Sequence, residues 1–205
     1  MAIQHKDIPD ANLHEVKGAA SASIGQILTA TGAGTATFQT SAFTTTSQGF
    51  WDYNDTGTAS APIALSLAGV DYQLTNNGLG ANTLKTYKLG SITDIYNVST
   101  NYFDFSPLKL GDTVDIRVDV EVTTASANNV VDIGIEMSVG ATPYKLYTTS
   151  RYLKTAGTYK IVCVIPVYIG NTNAKNYPAR IIAKCDSTGA VLKVNGWYTR
   201  VITNG

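Results

Sequence analysis

From residue 50 onward several runs alternate apolar and polar residues, and the β signal is strong. Val114, Ile116, Val118, Val120 and Val122 alternate without a break against Asp115, Arg117, Asp119 and Glu121. A period of two marks a strand with one buried and one wet face. Val131, Ile133, Ile135, Met137 and Val139 repeat the pattern. The turn-like residues 125–129 between the two runs predict that they pair as a hairpin. Ile63, Leu65 and Leu67 form a shorter run, and residues 144–149 read as a further strand. Residues 159–169 are apolar at nearly every position, which predicts a central strand covered on both faces. Pro166 within it implies a bulge or a strand end. Residues 179–185 and 191–202, joined by Asp-Ser-Thr-Gly at 186–189, predict a closing hairpin. The total is about eight strands with uneven connections, which favours an all-β, jelly-roll-like antiparallel sandwich over an up-and-down barrel. Residues 75–81 read as a surface excursion.

The first part of the chain lacks this regularity. Residues 3–18 mix charges with Pro9 and hold no sustained period, which predicts an extended arm that a partner orders. Residues 25–30 and 35–38 flank a glycine-containing turn and predict a small hairpin. The Thr-rich residues that follow read as a linker or a first edge strand. The organisation expected is therefore 1–38 arm and hairpin, 39–48 linker or edge strand, and 49–205 jelly-roll domain.

Composition sharpens the fold class. Of 205 residues 44% are hydrophobic and only 15% charged, with 15 Lys+Arg against 15 Asp+Glu. The charged share is low against a usual value of about 25%. Solubility instead falls to 27 Thr, 13 Ser and the amides, and 12 Tyr outnumber 5 Phe. Thr and Tyr suit pleated, half-buried surfaces. Zero net charge argues against nucleic acid as a partner. No segment is long and apolar enough for a membrane span, and the start lacks a signal-peptide pattern, so synthesis and folding in the cytoplasm are expected. Cys163 and Cys185 are then expected as reduced thiols, with Cys163 a small core residue.

The usual constellations of catalysis are incomplete. Both histidines, His5 and His14, lie in the first 14 residues, so the sandwich has no base for a Ser-His or Cys-His pair. They also lack further ligands for zinc. Residues 80–86 end in Lys-Thr but carry Leu84 where a phosphate loop needs glycine. Gly32 and Gly34 likewise read as a turn. Asp52, Asn54, Asp55 and Gly57 hold half of a calcium-loop pattern, with Ile63 at its closing acidic position. A polar turn is the reading taken. Asp115, Asp119 and Glu121 share a strand face with Arg117, a spacing compatible with paired carboxylates, yet nothing marks one as a proton donor. No enzyme activity, metal or cofactor is expected. Trp51, Tyr53, Trp197 and Tyr198 are the large aromatics available either to stack on glycans or to fill core and subunit contacts.

Residues 13–18 (Leu-His-Glu-Val-Lys-Gly), 25–28 (Gly-Gln-Ile-Leu), 32–34 (Gly-Ala-Gly) and Phe38 follow one another in an order that resembles a motif of tailed-bacteriophage head decoration and head fibre proteins. That motif is a His-x-x-Lys-Gly stretch, a Gly-Gln-hydrophobic strand, a Gly-x-Gly turn and an aromatic. A second block is similar to the C-terminal domain of the same family. It runs through residues 51–56, 75–78 and 100–105 to 110–116. Val16 replaces a frequent proline of the motif, and Phe38 a frequent tryptophan.

The resemblance implies a virion structural protein on the capsid surface, bound to the major capsid protein lattice through its N-terminal arm and self-associated as a homotrimer. The capsid-binding residues it implies are Ile3, His5, Ile8, Leu13, His14, Lys17, Gly18, Gln26, Ile27 and Phe38. Several copies of one short arm gain avidity on a repeating lattice. The alternative it leaves open is a tail fibre or spike that recognises a host surface glycan.

Overall fold

The structure, a computed structural model, describes Ser23 and residues 26–32, 35–40, 47–90 and 92–204. The strands in chain order are β1 (Gln26–Gly32), β2 (Thr35–Thr40), β3 (Ser47–Asn54), β4 (Ile63–Leu65), β5 (Tyr72–Gln73), β6 (Tyr96–Asn97) and β7 (Tyr102–Phe103). They continue with β8 (Thr113–Thr124), β9 (Asn129–Met137), β10 (Tyr144–Leu153), β11 (Gly157–Tyr168), β12 (Arg180–Cys185) and β13 (Ala190–Thr203). Two single-turn helices, α1 (Gly57–Ser60) and α2 (Thr172–Asn176), complete the set. No helix among the described residues is long and apolar enough to cross a membrane.

The chain divides into two units, Met1–Thr45 and Thr46–Gly205. In the first, β1 and β2 form an antiparallel hairpin whose register shifts between Ala30 and Gly32. It is a two-stranded sheet of its own. The second unit is an all-β, jelly-roll-like sandwich. One sheet has the order β11-β8-β13-β3, with β4 also paired to β13, and the other has the order β10-β9-β12-β5.

The alternation in the sequence places the core. Val114, Ile116, Val118, Val120 and Val122 of β8 are fully buried, as are Val131, Ile133, Ile135 and Met137 of β9. They belong to one cluster that also takes in Trp51, Tyr53 and Trp197. Each such side chain contributes about 1.5–3 kcal/mol on leaving water. Cys163 and Cys185 are both free and buried.

Four expectations change. The runs at 114–122 and 131–139 do not pair with each other: β8 lies in one sheet and β9 in the other. Residues 179–185 and 191–202 part in the same way, β12 from β13. A period of two identifies the buried face of a strand but not the sheet it joins. Both crossing loops are fastened together at one corner. Asp186 Oδ1 accepts from Val130 N at 2.8 Å, Asp186 N donates to Val130 O at 3.0 Å, and Ser187 Oγ donates to Asn129 Oδ1.

The third change concerns β11. It is an edge strand, paired among the described residues to β8 alone, and its outward residues Val162 and Val164 are each 52% exposed. Of the bulge or strand end expected at Pro166, the bulge is absent, since the ladder runs unbroken from Gly157–Thr124 to Tyr168–Thr113, and β11 ends just beyond the proline at Tyr168. An edge strand has one row of N–H groups without a ladder partner, and a proline fits on that row. Residues 75–81, expected as a surface excursion, are partly stitched inward. Asn76 is fully buried, donates from Nδ2 to Tyr53 O at 2.8 Å and accepts at its carbonyl from Tyr96 Oη at 3.2 Å.

Thr199 is fully buried on β13, and its hydroxyl has no hydrogen-bond partner among the described residues. A buried hydroxyl without a partner costs about 1–3 kcal/mol. Thr199→Val is therefore expected to stabilise the sandwich by about 1 kcal/mol. Urea unfolding should show a higher midpoint with an unchanged slope.

Candidate functional site

Residues of alternating parity decide which aromatics reach the surface. In β3 the odd positions Trp51 and Tyr53 are fully buried, and in β13 Trp197 is 1% exposed. Trp51 Nε1 donates to Thr93 O at 3.2 Å, Tyr53 Oη to Asp94 Oδ1 at 3.0 Å, and Trp197 packs edge-on to Tyr96. Burial, with Asp94 adding to it, pushes the Tyr53 phenol well above its ordinary range. The three rings expected as glycan or subunit contacts are thus core residues, because an alternating strand turns them onto the inner face. Of the four, only Tyr198 stands on the outer face, and its neighbour there is Phe50.

Strand register sets Tyr198 in a row across the sheet. Asp52 pairs with Tyr198, Tyr198 with Arg117, and Arg117 with Val164. Leu84 extends the row past the β3 edge through a bridge to Asp52. Four steps of about 4.8 Å carry it roughly 19 Å across the sheet. The next row holds Phe50, Arg200, Asp115 and Pro166. The Phe50 and Tyr198 rings stack with centroids 5.8 Å apart, and the Arg117 guanidinium stands 5.6 Å from the Tyr198 centroid. Arg200 binds Asp115 through Nη2 at 2.5 Å and Nε at 3.2 Å. Each long side chain is therefore held by a neighbour.

A wall rises at the β3 side. Asp52 N donates to Leu84 O at 2.8 Å, Leu84 N to Asp52 O at 3.0 Å and Phe50 N to Tyr87 O at 2.9 Å. This strap covers the β3 edge. It can lie so close because residue 49 is glycine: a Cβ there would stand 2.5 Å from Leu89 N and Cβ. Tyr87, 68% exposed, and Leu84 top the wall. Between wall and sheet lies a cleft of about 650 Å³ lined by Phe50, Asp52, Leu84, Tyr87, Lys88 and Tyr198 among others. A shallower hollow of about 340 Å³ adjoins it over Phe50, Asp115, Arg117, Val164, Tyr198 and Arg200. The two share Phe50 and Tyr198, so they form one groove.

The carboxylates singled out in the sequence are engaged by nearby donors. Asp115 pairs with Arg200, Asp119 with Lys160 at 3.5 Å and Asn195 Nδ2 at 2.8 Å, and Glu121 with Lys193 at 3.3 Å. Asp55 is used locally. Its carboxylate accepts from Thr58 N at 2.7 Å, Thr58 Oγ1 at 2.6 Å and Asn77 N at 2.8 Å. Thr58 Oγ1 in turn accepts from Val194 N at 2.8 Å, beside the register shift of β13. No group of three or more His, Cys, Asp or Glu side chains among the described residues is placed to hold a metal.

The sequence reading missed a second polar cluster, on the other sheet. Asp71 accepts from Lys145 Nζ at 2.6 Å and Tyr147 Oη at 2.5 Å, and Arg180 Nη2 meets Glu136 at 2.6 Å. Burial alone would raise the Asp71 pKa, but the hydrogen bonds from Lys145 and Tyr147 and the nearby lysine charges outweigh it and hold it below the ordinary value. The charges are paired with one another, as in a solvated sheet face.

The expected capsid-binding residues fall in two sets. Ile3, His5, Ile8, Leu13, His14, Lys17 and Gly18 lie outside the described residues. Gln26 opens β1, where its Oε1 accepts from Ser23 N at 2.9 Å. Ile27 pairs with Gln39, and half-buried Phe38 pairs with Leu28.

No family model matches the chain, and no curated protein does. Among solved structures it is similar to PRD1 vertex protein P5, with a TM-score of 0.41 and 13% identity over 88% of this chain and 82% of that one. It is also similar to the xylan-binding module CBM15, with a TM-score of 0.35 and 14% identity over 79% and 99% of the two chains. A third likeness, to dimeric latent PorU from Porphyromonas gingivalis, has a TM-score of 0.33 and 7% identity and covers 13% of that chain.

Burial raises the Asp52 pKa, against the opposing influence of Arg117 and the hydrogen bond from Asn54. The folded chain therefore holds this proton more tightly than the unfolded chain. An ionised Asp52 then costs stability above its folded pKa, and the cost fades as pH falls towards the unfolded value. Asp52→Asn is expected to raise the thermal midpoint at neutral pH, with the gain gone by about pH 3. Thermal melts of the two proteins across that range check it.

Proposed function

We propose that this chain is a structural protein of a bacteriophage virion, attached to the capsid lattice by its N-terminal unit and self-associated as a homotrimer through the sandwich. Its action is binding. The observation that carries the reading is the division of the chain: the residues that resemble the attachment motif end in a hairpin of its own, while residues 46–205 bury a complete core. An isolated two-stranded hairpin is at best marginal in water. A partner surface that adds a strand to such a hairpin stabilises it. Leu28, 43% exposed on that hairpin, gives the partner an apolar contact.

One side of the sandwich supports self-association. Tyr144 and Leu146 of β10 stand opposite Met137 and Ile135 of β9 in register, on the side that faces the core. Met137 and Ile135 are fully buried, yet Tyr144 and Leu146 are 40% and 42% exposed. At Tyr144 and Leu146 the inward side of β10 is therefore uncovered among the described residues. Two further copies suit it, because a patch set at a threefold axis meets its own equivalents in the other two chains.

Two measurements test these statements. A chain that lacks residues 1–45 is expected to unfold cooperatively and to lose co-sedimentation with phage particles. Retained co-sedimentation would remove the arm from the attachment role. Light scattering of the full chain is expected to give the mass of three copies, and Leu146→Glu that of one, with far-UV circular dichroism unchanged. A monomeric parent protein would end the homotrimer reading.

A further inference from the structure

We infer that the groove over Phe50 and Tyr198 is a binding site for a neutral oligosaccharide. Sugar rings offer an apolar C–H face and equatorial hydroxyls. A site for them needs an aromatic wall beside planar groups that make paired hydrogen bonds. The groove has both. Phe50, Tyr198 and Tyr87 are its rings, and Asp52, Asp115, Arg117 and Arg200 are its planar polar groups. Its main cleft of about 650 Å³ lies within the range of small-molecule sites, roughly 300–1,000 Å³.

Two observations select the occupant. First, the charges balance. Asp52 and Asp115 match Arg117 and Arg200, and the Arg200–Asp115 pair is already closed at 2.5 Å. That leaves Lys88 at the rim, too little positive charge for a polyanion. Second, the main chain beneath the groove is spent. The β3 edge is paired to the strap through Asp52, Leu84, Phe50 and Tyr87, so a peptide has no free edge to join there. Along the β3 wall only side chains remain to read a ligand, which suits hydroxyl groups.

The rings are set before any ligand arrives. Phe50 stacks on Tyr198, and Arg117 and the strap fix the remaining walls. A site ordered in advance spends less of its interaction on ordering. The row from Leu84 to Val164 crosses the whole sheet, so the site takes a chain of several sugars rather than a single one. This assignment stands apart from the virion reading, since a sugar site on the sandwich neither requires nor excludes attachment by residues 1–45.

The test uses the full chain in isothermal titration calorimetry. The probes are cellohexaose, xylohexaose, mannohexaose, laminarihexaose, maltohexaose and chitohexaose, with hexagalacturonate as the charged contrast. At least one neutral hexaose is expected to bind. Tyr87→Ala and Tyr198→Ala should each weaken it about tenfold. Tyr152→Ala, at an exposed ring on β10, should leave it unchanged. Tyr87 is largely exposed, so its replacement tests the site without threatening the fold. No heat from any neutral hexaose at millimolar concentration would overturn the assignment. So would binding that ignores both groove substitutions, binding of the charged hexamer alone, or a Tyr87→Ala protein that binds no sugar less tightly but changes oligomeric mass.

Discussion

The sandwich depends on one constraint: β8 must bury one face completely while its other face stays wet. It is flanked by β11 and β13, and every second residue from Val114 to Val122 is sealed against the opposite sheet. The opposite face carries Asp115, Arg117, Asp119 and Glu121, each within reach of a partner on a neighbouring strand. Because the inner face alone secures packing, the outer face is free to vary in chemistry. That freedom makes the middle of the sheet, rather than a loop, the place where a binding surface is built.

The same constraint explains what was legible in the sequence. The runs at 114–122 and 131–139 show which residues turn inward, and the structure buries them. Sheet membership was not legible, because a short loop between two strands can turn back beside the first or cross the core. At 125–128 it crosses, and the polar contacts of Asn129, Asp186 and Ser187 hold that corner. The apolar run at 159–169 misled for a related reason: Val162 and Val164 are valines on a wet edge, and composition alone does not distinguish them from core.

The candidate groove was only half legible. Size drew attention to Trp51, Tyr53 and Trp197, which the parity of their strands turns inward. The useful signal lay one position away. If Trp51 and Tyr53 are buried, Phe50 and Asp52 face out, and if Trp197 is buried, Tyr198 and Arg200 face out. Arg117 could be added only from register, since it lies some 80 residues before Tyr198 in the chain. The strap that walls the groove left one trace, Gly49, whose missing Cβ admits Leu89.

The strap also changes how copies of the sandwich can meet. Exposed strand edges invite growth by continued pairing, and a sheet with two of them can extend without end. In the five-stranded sheet the β3 edge is occupied by residues 84–87, and β11 is left open with Pro166 set into it. In the other sheet, β5 at the edge opposite β10 is only two residues long. Each copy thus has a valence of one side. A second copy can pair on that side, but the described residues of the sandwich offer no second open side with which to pass the pairing on. Pairing limited to one side stops at a finite size, by the geometry of the sheet and not by the supply of protein.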